Sequence, residues 1–366
     1  MRNLLILAVL AWGCGAQVRI PGPGGATSSG GGGGGGGGSV TCTPVSGYAY
    51  CRVLTVDRNQ VGGSTLNSFA VAAVATLGAS RIRNANCYDV VFTSDSGGTA
   101  MVPWEMESCA QGTGAIVAWV LASSLSSSTN TQFFVSYDNA AISTAQNSGG
   151  LAPLHVWDSN YAGVWHLPNG ATLSGSDSTS NGYTLSNYGA TAATGQIDGG
   201  AAFSAASSAY MENASFAEGG DGFNLTVSFW INSATLTSQV SSLVYKANGT
   251  NNWEVVADTT NFVWYTGNNS GTFTAPGNSA WHYVIVSMIS GTAYCYVDGA
   301  LESTLTGMGT AHNAAALMVG GVGAYYISAS MDELRISNIG RAAAWITTEY
   351  NNQKPGSTFL TVGSEL

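Results

Sequence analysis

The chain has 366 residues, 45% of them apolar, with only 8% charged and 49 glycines. That charged fraction is far below the roughly 25% of an ordinary soluble domain, and 10 basic against 20 acidic residues leave a formal net charge of −10. Arg81 and Arg83 form the closest basic pair, which is no phosphate-tracking stripe, so nucleic acid is excluded as an expected partner.

At the N-terminus, Arg2 precedes an apolar run from Leu4 to Trp12 and the small residues Gly13-Cys14-Gly15-Ala16. The run has the length of an export signal and is too short to span a bilayer. Cleavage after Ala16 makes residues 1–16 a signal peptide; the alternative is a membrane anchor through a lipidated Cys14, which Ala11-Trp12-Gly13 fits poorly. Residues 17–47, with glycine throughout Gly30 to Gly38, read as a Gly/Pro/Ser-rich linker, because such a segment has few side chains to bury and a high ordering entropy. The expectation is a secreted, extracellular or cell-surface protein.

Cysteine usage agrees with export. The segment Cys87 to Phe92 and the segment Met101 to Cys109 flank the turn residues Ser94-Asp95-Ser96-Gly97-Gly98. Folded as a hairpin, they set Cys87 near Cys109, within disulfide reach. Cys42 and Cys51 close a second small loop. Both pairings are expectations, since four cysteines allow three connectivities. Cys295 alternates with Tyr294 and Tyr296 and reads as a buried free thiol.

Strand signals dominate from there on. Leu225 to Ile231 and His282 to Met288 are β-rich runs, and Asp298-Gly299 between Tyr294–Val297 and Ala300–Ser303 is a hairpin signal. Turn residues recur every 8–15 positions or so, the spacing of sandwiches. Near the end, Ala342, Trp345, Ile346 and Tyr350 lie near helical spacing, with Pro355 beyond the stop. The fold class expected is all-β, two β-sandwiches with a short C-terminal helix.

A family resemblance rests on particular motifs. In order they are Asp177-Ser178-Thr179-Ser180-Asn181-Gly182, Gly195-Gln196-Ile197-Asp198-Gly199, Val227-Ser228-Phe229-Trp230-Ile231, Trp281-His282-Tyr283-Val284, Tyr296-Val297-Asp298-Gly299 and Met331-Asp332-Glu333-Leu334-Arg335-Ile336-Ser337. This series resembles the laminin-G-like jelly rolls of the concanavalin superfamily and implies that fold for residues 155–366. Residues 48–145, through Asn84–Asp95, Glu105-Met106-Glu107-Ser108 and Gly114–Val120, resemble a small β domain of unknown function that precedes such jelly rolls in secreted bacterial proteins.

Catalysis finds little support in the pattern. A glycosidase needs two carboxylates flanking the bond. Glu105 and Glu107 share a strand face by alternation but lie in the first module, Glu254 and Asp258 are four residues apart, and Asp332 and Glu333, as neighbours, are expected on opposite faces. The histidines His155, His166, His282 and His312 lack metal spacing, and a structural hydrogen-bonding role is expected of them. The cofactor expectation is Ca²⁺, which the resemblance places at a loop edge, with Asp177, Asn181 and Asp332 as oxygen donors; a turn cap and an ordinary ion pair are the plainer alternative. Trp253, Trp264, Tyr265, Tyr325 and Tyr326 are candidates for stacking on a ligand. The function expected is recognition or adhesion through a glycan or surface protein, without catalysis. A structural subunit of an extracellular assembly is the alternative, and a polysaccharide hydrolase the weaker one.

Overall fold

The computed structural model describes residues 41–168, 173–217, 222–233, 236, 240–248, 251–258, 260–267, 269–276, 278–309 and 315–366. The expected signal peptide, Cys14 and most of the expected linker lie outside the described residues. Among these, no helix is long and apolar enough to cross a membrane.

The first module is built from β1 (Tyr50–Val56), β2 (Leu66–Thr76), β3 (Val90–Thr93), β4 (Trp104–Ala110), β5 (Ala115–Leu125) and β6 (Thr131–Tyr137). One sheet runs β1-β6-β3 and the other β2-β5-β4. Phe69, Phe92, Trp104, Val120, Phe133 and Val135 fill the space between them. Both expected disulfides form, Cys42–Cys51 and Cys87–Cys109, and Cys295 is free and buried. The hairpin expected around Ser94-Asp95 does not form as such: β3 and β4 belong to different sheets, joined near the turn by a single bridge from Thr93 to Met101. The Cys87–Cys109 bond therefore ties the turn before β3 to a strand of the opposite sheet.

The second module comprises β7 (Tyr161–Trp165), β8 (Ser186–Tyr188), β9 (Thr191–Thr194), β10 (Gly199–Phe203), β11 (Tyr210–Asn213), β12 (Leu225–Asn232), β13 (Ser241–Asn248) and β14 (Asn251–Ala257). It continues with β15 (Asn261–Thr266), β16 (Asn269–Thr274), β17 (Trp281–Ile289), β18 (Thr292–Val297), β19 (Ala300–Leu305), β20 (Leu317–Val319), β21 (Gly321–Val322), β22 (Tyr325–Tyr326) and β23 (Ala329–Ser337). An eight-stranded sheet runs β19-β18-β17-β12-β23-β10-β9, with β7 also on β23; a seven-stranded sheet runs β16-β15-β14-β13-β20-β11-β8. Val227, Phe229 and Ile231 of the first meet Trp253, Phe262 and Trp264 of the second in one apolar core. Alternation explains this packing, since every second side chain of a strand shares a face.

The family-like motifs have local physical roles. Asp298 and Gly299 both have positive φ, 52° and 77°, the two-residue turn that suits strand twist. Asp298 also holds the preceding motif: its Oδ2 lies 2.6 Å from His282 Nδ1, and its Oδ1 accepts the Tyr283 N–H. Gly195 starts the β9–β10 hairpin where a Cβ would lie 1.8 Å from the Gly199 carbonyl oxygen and 2.6 Å from Asp332 Oδ2. That close approach lets the Gln196 and Ile197 N–H groups donate to Asp332 Oδ2, each at 2.8 Å.

The helix α1 (Ala343–Gln353) packs between the modules. Its Ile346 sits on Trp230, Tyr283 and Tyr296 of the eight-stranded sheet's outer face, while Trp345 meets Phe69 of the first module edge-on at 5.0 Å. After α1 the chain enters the first module: β24 (Leu360–Val362) pairs with β1, and Phe359 is buried in the first core. The span 155–366 expected for the jelly roll is therefore too long at its end. Residues 40–366 form one compact unit.

Candidate functional site

Two places in the molecule gather functional side chains. The first is the outer face of the seven-stranded sheet. Strand register sets Glu212 beside Met318, Met318 beside Tyr245, Tyr245 beside Glu254 and Glu254 beside Tyr265. All five are partly exposed, whereas their sequence neighbours Trp253, Trp264, Val244 and Met211 are buried. At the sheet's end, Tyr188 is 47% exposed and stacks on Tyr210 with ring centroids 4.6 Å apart, and Tyr326 lies 6.1 Å from Tyr210. Desolvation and then the Glu212 charge push the Tyr210 hydroxyl above its ordinary value, and burial pushes up the Glu254 carboxyl. This face offers aromatic rings and carboxylate acceptors side by side.

Of the sequence-predicted ligand residues, Tyr265 and Tyr326 lie on this face, and Tyr325, 54% exposed, adjoins Tyr326. Trp253 and Trp264 do not. Both are fully buried and lie with rings 6.0 Å apart in the core, so no ligand can stack on them. Tyr188, Tyr210 and Tyr245 were missed, although parity carried a signal: Val255 and Ala257 share the parity of Trp253 and point to the core.

The second place lies between the modules. Glu105 and Glu107 on β4 do share a face, and both approach His166, which follows β7. His166 Nδ1 is 2.7 Å from Glu333 Oε1 and 3.7 Å from Glu107 Oε2, and Nε2 is 3.3 Å from Glu105 Oε2. Trp157 Nε1–H and the Ser178 hydroxyl donate to Glu105, and Trp119 Nε1–H donates to Glu107. Arg335 donates to Glu333 at 2.6 Å and to Glu349 at 2.8 Å, with its guanidinium over Trp119 and Trp157. Burial alone would lower the His166 pKa; the charges of Glu333, Glu105 and Glu107 outweigh it and raise it well above its ordinary value. Burial raises the Glu105 carboxyl, but the His166 charge and the hydrogen bonds from His166, Ser178 and Trp157 together outweigh that and hold it below its ordinary value. Burial and the Glu333 charge push Glu107 up to about 8.

Of the three expected calcium donors, Asp177 and Asn181 share one turn against β7, linked through the Thr179 hydroxyl, while Asp332 lies apart from them under the β9–β10 hairpin. Asp177 caps a turn: Oδ1 accepts the N–H groups of Val164 and Thr179, and Oδ2 accepts from Tyr183 N–H and the Thr179 hydroxyl. Asn181 donates its amide to the carbonyls of Tyr161 and Ala162. Asp332 is fully buried under the β9–β10 hairpin. Both Asp177 oxygens are thus filled by N–H and O–H donors, which makes them poor Ca²⁺ ligands. Asp258 likewise caps a turn by accepting from Thr260 and Asn261, and does not pair with Glu254.

Residues 198–347 match the family model described as the concanavalin A-like lectin/glucanases superfamily. No curated protein matches the chain. Among solved structures, the binding domain of Paraclostridial Mosquitocidal Protein 1 is 14% identical with a TM-score of 0.43, over 52% of this chain and 52% of that one. Domain 4 of an extracellular arabinanase from Geobacillus stearothermophilus, solved with arabinotriose, is 16% identical with a TM-score of 0.42, over 51% of this chain and 97% of that domain. The type G botulinum neurotoxin receptor binding domain is 14% identical with a TM-score of 0.42, over 53% and 52%. The chain thus spans about half the length of the first of these.

Proposed function

We propose that this chain, whose second module is a laminin-G-like jelly roll of the concanavalin A-like superfamily, is an extracellular, non-catalytic recognition protein that holds a saccharide on the outer face of its seven-stranded sheet. The carrying observation is the contiguous accessible surface of Tyr188, Tyr210 and Tyr326, with Glu212 near Tyr210. Sugar rings present C–H faces that pack on aromatic rings, and their hydroxyls donate to carboxylates. Two disulfides fit an oxidising compartment.

Sheet geometry weighs against hydrolysis on this face. Glu212 on β11 and Glu254 on β14 are separated by three strand spacings, about 14 Å, whereas glycosidase carboxylates stand roughly 5–9.5 Å apart. The test is a saccharide array with wild-type and Tyr210→Ala protein. Selective binding lost in the variant supports the reading. No binding by wild type, together with concentration-dependent self-association, replaces it with a structural role in an assembly; release of reducing sugar replaces it with an enzyme.

A further inference from the structure

We infer that Glu107, His166 and Glu333 form a buried binding site for one divalent metal ion of the zinc or manganese type, clamped between the two modules. One nitrogen of His166 and one carboxylate oxygen from each glutamate all lie within 4.8 Å of one another. The residues come from β4 of the first module and, in the second, from the position just after β7 and from β23, so an ion there ties the modules together.

A second observation points into the same place. The Glu107 side chain is 1% exposed, yet its Oε1 has no hydrogen-bond partner. Leaving a carboxylate oxygen dry and unpartnered is costly, and a cation is the partner that answers that cost. Three carboxylates converge on one imidazole ring, which carries a single positive charge at most.

The surroundings are those of a held ligand set. Each ligand is fixed from behind: His166 by Glu105 on its other nitrogen, Glu107 by the Trp119 indole, Glu333 by Arg335. A carboxylate behind a metal-bound imidazole orients the ring and raises its basicity. One nitrogen with carboxylate oxygens suits zinc, manganese or cobalt better than calcium, which takes six to eight oxygens. A cavity of about 430 Å³ is bordered by Glu105 and Glu107, with Trp104 and Pro153. On binding, the ion takes the place of the proton between His166 Nδ1 and Glu333 Oε1; that proton goes to solvent, as does any proton held by Glu107.

The test uses the full untagged chain, stripped with EDTA and dialysed. Calorimetric titration with Zn²⁺, and visible absorption on titration with Co²⁺, should each show one saturable equivalent, with proton release and a rise in melting temperature. Glu107→Gln, which keeps an acceptor for Trp119, should weaken binding at least tenfold with an unchanged circular dichroism spectrum. Glu105→Gln, which touches no ion, should weaken it by about 10–100-fold and serves if the first variant does not fold. No saturable binding of either ion by wild type overturns the site. So does a folded variant of either kind that binds as wild type does.

Discussion

Asp332 and Glu333 are consecutive in β23 and turn to the same side of the sheet. Their partner strand shows how: Trp230 opposes Asp332 and Ser228 opposes Arg335, so Phe229 alone faces both Glu333 and Leu334. This is a β-bulge, with two residues opposite one, and Glu333 takes a positive φ of 51° there. Met331, Leu334 and Ile336 keep to the core. The inserted residue sends an extra carboxylate toward the first module, where strict alternation had placed Asp332 and Glu333 on opposite faces.

Glu333→Gln should therefore be costly. It leaves the Arg335 guanidinium, 2% exposed, and the His166 ring without their shared carboxylate. Removing one partner of a buried pair costs about 3–5 kcal/mol. Urea unfolding in the presence of EDTA should show a stability loss of that size, read as a lower midpoint with an unchanged slope. A loss below about 1 kcal/mol means that the pair is solvated.

Asn352 is a second device joining the modules. Its side-chain oxygen accepts the Ala72 N–H at 3.0 Å, and its nitrogen donates to the Ala70 carbonyl at 3.1 Å. The amide so serves the free edge of β2 as a neighbouring strand would, and edge groups left dry are a liability. Asn352→Leu should cost about 2–4 kcal/mol, from two buried backbone groups at roughly 1–3 kcal/mol each with partial relaxation. Amide hydrogen exchange should quicken at Ala72 before it quickens in β5. Unchanged protection at Ala72 removes the role given to the amide.

Much of this fold was legible along the chain, and the limit was distance in sequence. Asp298-Gly299, the run from Leu225 to Ile231 and the α1 spacing depend on residues a few positions apart, where turn chemistry and periodicity act. The return of β24 to β1 pairs Val362 with Leu54 from opposite ends of the chain. The bond from Ala72 to Asn352 spans 280 positions, and no local period encodes either contact. The sheet-face site failed for a different reason. Trp253 and Trp264 attracted attention by size, while Tyr188 and Tyr210 are lone tyrosines in separate short strands whose stacking exists only once β8 pairs with β11.

That difference separates surface from core by mutation. Tyr210→Ala should leave the melting temperature within about 2 °C, since surface changes stay near 0.5 kcal/mol. It should weaken saccharide binding about tenfold, the effect of losing one stacking contact of about 1.4 kcal/mol. Trp253→Ala should instead cost about 3–5 kcal/mol of stability, the toll of emptying a large core site. Equal loss of stability in both variants contradicts the assignment of faces.

Cys295 gives the last expectation. It is the free cysteine among the described residues, fully buried on β18, and burial pushes its thiol up to about 12 from an ordinary value of 9.0. The thiolate is the reactive form, so at pH 8 a three-unit rise leaves about three orders of magnitude less of it than an exposed thiol has. Raising the pH increases reactivity, but in the folded protein only well above the ordinary thiol range. Native protein treated with iodoacetamide at pH 8 should carry no label at Cys295, and protein in guanidinium should take it up fully without reduction. Prompt labelling under native conditions means that β18 opens locally, because a thiol sealed between two sheets has no other route to the reagent.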